Sequence, residues 1–213
     1  MKDPEALEKG TEVNSSPSLT AHETRRQTLV LVAFHLMAEK GVEGLRIRDV
    51  AANAGMNIGT LYYYFPTKEE LIQSVVDYLV QHIVTIQAPV VQMFVKTPAD
   101  ALHQHFANLV YELSETPDVF RVMDELLLRS QRDAAIYPIL KQTDENWQSY
   151  LMTILEAGRT QGLFPANLDP SLTALTIMSF FKGMPVQLGM FPGELEKMVD
   201  QLERWLFRET STD

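Results

Sequence analysis

Residues 46–65 read Arg46-Ile47-Arg48-Asp49-Val50-Ala51-Ala52-Asn53-Ala54-Gly55-Met56-Asn57-Ile58-Gly59-Thr60-Leu61-Tyr62-Tyr63-Tyr64-Phe65. The pattern predicts a short helix ending near Gly55 and a second over about 58–64, a helix-turn-helix. Each residue type has a mechanical reason. Val50 and Ala51 face inward, and the small alanine lets the two helices approach closely. Gly55 tolerates the positive φ that the turn demands. Leu61 and Phe65, four apart, face the core. The other face of the second helix presents Asn57, Gly59, Thr60 and Tyr63, short or hydrogen-bonding residues suited to a major groove.

The flanks extend this reading. Thr20-Ala21-His22-Glu23 is a capping box that opens a helix ending at Gly41. Leu29, Val32, Ala33, Leu36 and Met37 recur on it at helical spacing. Val30, Leu31 and Phe34 widen the stripe, which predicts burial on several sides. Downstream, Thr67-Lys68-Glu69-Glu70 is a second capping box, opening a long helix to Gln87 that Pro89 ends or kinks. Lys68, with the free N–H groups of that helix start, is placed to meet a phosphate.

The remainder also reads as helical. Thr97-Pro98-Ala99-Asp100 and Thr116-Pro117-Asp118 are start signals. An amphipathic stretch from Ile136 to Gln161 stops at Gly162, and Asp169-Pro170 opens a helix to Met190 with Pro185 as an expected kink. The last helix follows Gly193. No strand of period two, hairpin turn or fixed repeat is visible. The expectation is an all-α chain of about nine helices. Its parts are a mobile polar tail over 1–19, a DNA-binding domain over 20–66 and a larger body over 67–213.

Charge and composition narrow the function. The chain has 213 residues, no cysteine and a formal net charge of −10, which removes thiol chemistry and general polyanion binding. The charge is uneven. Residues 20–70 carry six bases and six acids, whereas residues 71–213 carry ten bases and eighteen acids. Contact with nucleic acid therefore belongs to residues 20–70. The longest strongly apolar run, Leu29 to Ala38, is about half of what a bilayer span needs, and no signal peptide is visible. A cytoplasmic protein with no membrane partner is expected. His103 and His105 are two apart and point to different sides of a helix, so they cannot share a metal. Asp124-Glu125 and Arg129-Ser130-Gln131-Arg132 read as solvated faces. No hydrolase, zinc-protease, phosphate-loop or dinucleotide motif is present, so no enzyme, metal or cofactor is expected.

Residues 24–71 resemble the DNA-binding domain of the TetR family of bacterial transcription regulators. The resemblance rests on Thr24, Arg25, Ala33, Leu36, Gly41, Val50, Ala51, Ala54, Gly55, Gly59, Thr60, Leu61, Tyr62, Tyr64, Phe65, Lys68, Glu69 and Leu71. It implies a homodimer on double-stranded operator DNA. DNA contacts would then fall to Arg48, Asn57, Gly59, Thr60, Tyr62, Tyr63, Tyr64 and Lys68. Arg48, Asn57, Thr60 and Tyr63 are placed as base readers, and Tyr62, Tyr64 and Lys68 as phosphate anchors. Two departures stand out. Leu45 and Arg46 replace the Thr or Ser that often precedes the first short helix, and Ile58 stands where many members carry a polar reader.

The resemblance extends in outline to the body, where it implies a pocket for a small-molecule inducer. Phe106, Val110, Phe120, Met123, Trp147, Tyr150, Leu151, Met152 and Ile154 lie on the helices that would enclose it. An apolar or amphipathic ligand is the default for such walls. For the dimer, the last two helices are richly apolar, and Phe181, Leu195, Met198, Leu202 and Trp205 are the expected interface residues. The leading reading is a repressor released from a palindromic operator by its inducer. The alternative is a DNA-bound protein of the same fold regulated by a protein partner.

Overall fold

Residues 21–87 and 96–207 of the computed structural model are described, and they contain nine α-helices and no strand. These are α1 (Ala21–Gly44), α2 (Ile47–Asn53), α3 (Ile58–Tyr64), α4 (Lys68–Gln87), α5 (Pro98–Glu115), α6 (Pro117–Ser130), α7 (Tyr137–Thr160), α8 (Pro170–Met190) and α9 (Leu195–Leu206). The all-α expectation therefore holds for the described residues. The tail, the Thr20 arm of the first capping box and the stop at Pro89 lie outside them. No described helix is long and apolar enough to cross a membrane.

Local chemistry sets most of the boundaries. Thr97 and Asp100 close a full capping box: Thr97 Oγ1 accepts from the Asp100 N–H at 3.1 Å, and the Asp100 carboxylate accepts from the Thr97 N–H at 3.0 Å. Asp169 Oδ1 accepts from the N–H groups of Ser171 (2.9 Å) and Leu172 (3.0 Å) to start α8. Thr67 Oγ1 accepts from the Glu70 N–H at 3.1 Å to start α4. Thr116 departs from the pattern. It ends α5 and begins α6 at once, and its hydroxyl bonds back to the Glu112 carbonyl and carboxylate instead of capping forward. Its neighbour Pro117 starts α6 with a pre-set φ. At Gly41 the backbone turns left-handed (φ 71°), so the regular part of α1 ends there as expected. α8 continues through Pro185 to Met190.

Two apolar cores result. The first joins α1, α2 and α3 to α4 and to Val119, Val122 and Leu126 of α6. The second lies among α5, α7, α8 and α9, with Phe106, Leu151, Ala174, Ile177 and Phe181 at its centre. The three N-terminal helices thus share their core with α4 and α6. α6 has a buried face in that core and a second face turned to the body.

Candidate DNA-binding and ligand-binding sites

The turn between α2 and α3 is tied by a hydrogen bond from the Met56 N–H to the Ala51 carbonyl at 2.9 Å, with Gly55 at φ 65°. Val50, Ala51, Leu61 and Phe65 are fully buried beneath it. Asn57 caps α3: its Oδ1 accepts from the Thr60 N–H at 2.7 Å and from the Thr60 hydroxyl at 3.1 Å. A Cβ on Gly59 would stand 3.3 Å from that same oxygen, so the glycine gives the cap its room. Asn57 and Thr60, expected as base readers, therefore hold each other. The Asn57 amide N–H groups make none of these bonds. Arg48, Asn57, Ile58, Gly59, Tyr62 and Tyr63 are exposed, and Tyr63 is the most open of the tyrosines at 72%. Tyr64 is half-buried, with its ring 5.1 Å from Tyr63.

Three supporting residues were not singled out by sequence for these roles. The His22 ring, at the start of α1, lies 5.9 Å from Tyr63 and 4.7 Å from Tyr64. It comes from another helix, so no local spacing announces it. Arg26 sits over the Phe65 ring at 5.0 Å and donates to Ser74 Oγ at 2.7 Å, which commits its charge to packing. Lys68 is half-buried and donates to the Val42 carbonyl at 3.3 Å, pinning the end of α1 to the start of α4. As the sequence indicated, α2 has no side-chain cap, because Arg46 occupies the N-cap position without a capping bond.

A cavity of about 60 Å³ lies between α4, α5, α6, α7 and α8. Phe120, Met123 and Trp147 line it, together with Ile83, Leu109, Val119, Asp124, Thr143, Asp144, Phe181 and Lys182. The other expected pocket residues do not. Phe106, Leu151 and Ile154 are buried in the second core, and Val110, Tyr150 and Met152 pack against it. Phe106, Leu151 and Ile154 lie on the same stripes of α5 and α7 as the wall residues Leu109 and Trp147, but further along the helix axes, inside the second core. Asp124, read from sequence as solvated, is part of the wall. Its position was legible after all, because Phe120, Met123, Asp124 and Leu127 share one helical face. Burial pushes the Asp124 carboxyl above the ordinary range, and Lys182 pulls it back in part. The Lys182 ammonium itself is bonded to Asp144. The Trp147 indole N–H donates to His105 Nε2 at 2.9 Å, which orients the Trp147 ring in the cavity wall. Burial lowers the His105 pKa to about 4, so this imidazole is neutral near pH 7. His103 instead faces outward and meets Glu203 of α9 at 2.8 Å.

A helix-turn-helix on a shared core, beside a cavity in a helical body, is an arrangement with known relatives. The family described as "Bacterial regulatory proteins, tetR family" matches residues 29–75, and the "BetI-type transcriptional repressor, C-terminal" family matches residues 98–210, more than half of the chain. The chain belongs to the TetR family of transcriptional regulators. TtgR of Pseudomonas putida, an HTH-type transcriptional regulator, is 23% identical to it over 202 residues, covering 87% of this chain and 89% of TtgR. PksA of Bacillus subtilis is 36% identical over 56 residues, about a quarter of either chain. Among solved structures, a TetR regulator of Chloroflexus aurantiacus superposes with a TM-score of 0.77 at 18% identity, covering 88% of this chain and 96% of that one. A regulator of Saccharomonospora viridis, solved in complex with choline, gives 0.74 at 19% identity, covering 85% and 95%. At these identities the structural likeness establishes the fold.

In this TetR-family chain α6 touches both sites. On one side it supplies Phe120, Met123 and Asp124 to the cavity. On the other it holds α1. Asp118 lies 3.4 Å from His35, Glu125 Oε2 accepts from the Val42 N–H at 3.3 Å, and Arg129 lies 3.5 Å from Glu43. The residues expected at the dimer interface are divided. Phe181, Leu195 and Leu202 are 1%, 8% and 4% exposed within the subunit's own core, because Leu195, Val199, Leu202 and Leu206 form the inward stripe of α9. Met198 is half-buried against the same core, and Trp205 is exposed. The outward apolar stripe is instead on α8: Leu172, Leu175, Val186 and Met190 are exposed. They share one face with the small residues Ser179 and Gly183.

Proposed function

We propose that this TetR-family regulator is a dimeric repressor that places α3 of each subunit in the major groove of an imperfect palindrome and leaves it when a small molecule enters the cavity. The observation that carries the reading is α6, which lines the cavity and bonds to the end of α1. A cavity of about 60 Å³ is too small for most metabolites without movement of its walls. A ligand that displaces α6 binds better to a form in which α1, and with it the helix-turn-helix, has shifted. Only such a difference in affinity moves the equilibrium. The exposed α8 stripe suits a second copy of the chain: Ser179 and Gly183 allow close approach, with Leu172, Leu175, Val186 and Met190 beside them. A two-fold axis there matches the symmetry of a palindromic site. Curated relatives that are called repressors, such as KstR2 of Rhodococcus jostii, support the sign of regulation.

In this reading Arg48 and the Asn57 amide read base edges, Ile58 meets a thymine methyl, and Tyr62, Tyr64 and Lys68 hold phosphates. The test begins by selecting a site from randomised duplexes with the purified protein. Lys68→Ala should then weaken binding to all sequences alike and lower the salt dependence by about one phosphate contact. Arg48→Ala should cost about 1–3 kcal/mol and relax one base position. Recovery of no enriched, two-fold related sequence overturns the operator reading. Parental sequence preference in both variants overturns the division of roles.

A further inference from the structure

The chain has five histidines, and four of them are engaged by the fold. His35, His82 and His103 meet the carboxylates of Asp118, Glu112 and Glu203, each on another helix. His105 accepts from the Trp147 indole in the interior. His22 differs from all four. It is exposed in the first turn of α1, and among the described residues its ring meets those of Tyr63 and Tyr64 on α3, at 5.9 and 4.7 Å. Tyr63 and Tyr64 touch each other at 5.1 Å, so the three rings form one cluster. These tyrosines are the titratable groups that α3 turns towards His22. On α1 its neighbours in sequence are Glu23, Arg25 and Arg26, and Arg26 is held on Phe65 and Ser74. No carboxylate of a described residue bonds to the His22 ring, and the cluster stands on the side of α3 that carries the exposed Tyr63.

From this placement we infer that His22 belongs to the DNA interface: seated on Tyr63 and Tyr64, its imidazole takes up a proton as the duplex docks and donates to a phosphate at the edge of the half-site. The contact presupposes that α3 lies in the major groove, as proposed above. Its physical basis is linkage. A phosphate beside an imidazole favours the charged form of the ring. The complex then holds more protons than the separate partners, so binding tightens as the pH falls. A lysine or arginine would hold the phosphate at every pH, whereas a histidine makes the contact conditional on the proton. The two tyrosine rings fix the imidazole beforehand, which lowers the cost of ordering it on the duplex.

His22→Phe keeps a ring on the tyrosines and cannot take the proton, and His22→Lys keeps a charge at every pH. Both change an exposed position, so the fold is not at stake. Titration calorimetry of the full-length protein with the selected duplex, at pH 7 in Pipes and in Tris, reads proton uptake from the difference in heat between the buffers. The parent should take up protons, and His22→Phe should take up fewer, by up to about one per subunit. From pH 8 to pH 6 the affinity of the parent should rise at least about threefold more than that of His22→Phe. At pH 6 the salt dependence of His22→Phe should be lower by about one phosphate contact per subunit. His22→Lys should bind at pH 8 at least as tightly as the parent, with the extra uptake lost. Equal proton uptake by the parent and His22→Phe overturns the inference. So does parental affinity and salt dependence of His22→Phe at pH 6, the result that ring packing alone would give. The two proposals fail separately. A selected duplex bound alike by the parent and His22→Phe overturns this contact and leaves the operator. Enrichment of no duplex overturns the operator reading, and the same comparison on a random duplex at low salt still decides the contact, because phosphates carry it.

Discussion

At the scale of single residues, His105 has a consequence for pH. Its Nε2 accepts from the Trp147 indole, so the neutral ring carries its proton on Nδ1. The folded pKa of about 4 lies below the ordinary 6.5, so the unfolded chain takes up the proton first as the pH falls. The contribution of His105 to stability is therefore complete above about pH 6.5 and is lost between there and pH 4, by about 3 kcal/mol in all. Urea unfolding at pH 7 and pH 5, followed by tryptophan fluorescence, should show a smaller loss in His105→Gln than in the parent. Equal losses would mean that the imidazole is not held neutral in the fold. The residues under the helix-turn-helix were legible in the sequence because their partners lie within a few positions. His105 was not, since its partner is 42 residues away.

At the scale of elements, the helix starts followed from side chains three residues apart, and they held at Thr67, Thr97 and Asp169. Thr116 shows the limit of that reading: a residue shared by two helices can bond backward as well as forward. For α6 only the start signal at Thr116-Pro117-Asp118 was legible; the helix buries Val122 and Leu126 on one face and turns Met123 and Asp124 to the cavity on another. Glu125 between those faces caps the end of α1. Glu125→Ala should cost about 1–2 kcal/mol in unfolding, since it removes a charge-assisted bond to a backbone N–H. The Val42 amide should also exchange faster with solvent. Parental exchange at Val42 in that variant would show that the contact between α6 and α1 is not made in solution.

For the whole molecule, the placement of α8 separates a core face from a surface face. Phe181 belongs to the core, where its ring lies 5.2 Å from Phe106, so Phe181→Asp should unfold the subunit. Leu175→Asp combined with Val186→Asp changes only exposed positions and should leave a folded monomer. Sedimentation velocity with circular dichroism checks both outcomes. The parent should run as a dimer and the double variant at the 24.2 kDa of a single chain, with its helicity kept. A double variant that remains dimeric moves the interface away from α8. A parent that sediments as a monomer at micromolar concentration removes the symmetric operator model with it.

By itself the sequence determined the helices, the helix-turn-helix and the exposure of Arg48, Asn57 and Tyr63 on it. These depend on caps, turns and periodicity, whose interactions span only a few residues. Tertiary structure alone decided which apolar residues became core, cavity or surface. α8 is apolar nearly all round, so periodicity cannot choose between Phe181 and Leu175, and the neighbours α5 and α7 make the choice. The cavity chemistry follows the same rule. Asp124, Asp144 and Lys182 come from α6, α7 and α8, and only the packing of those three helices brings their charges to one place.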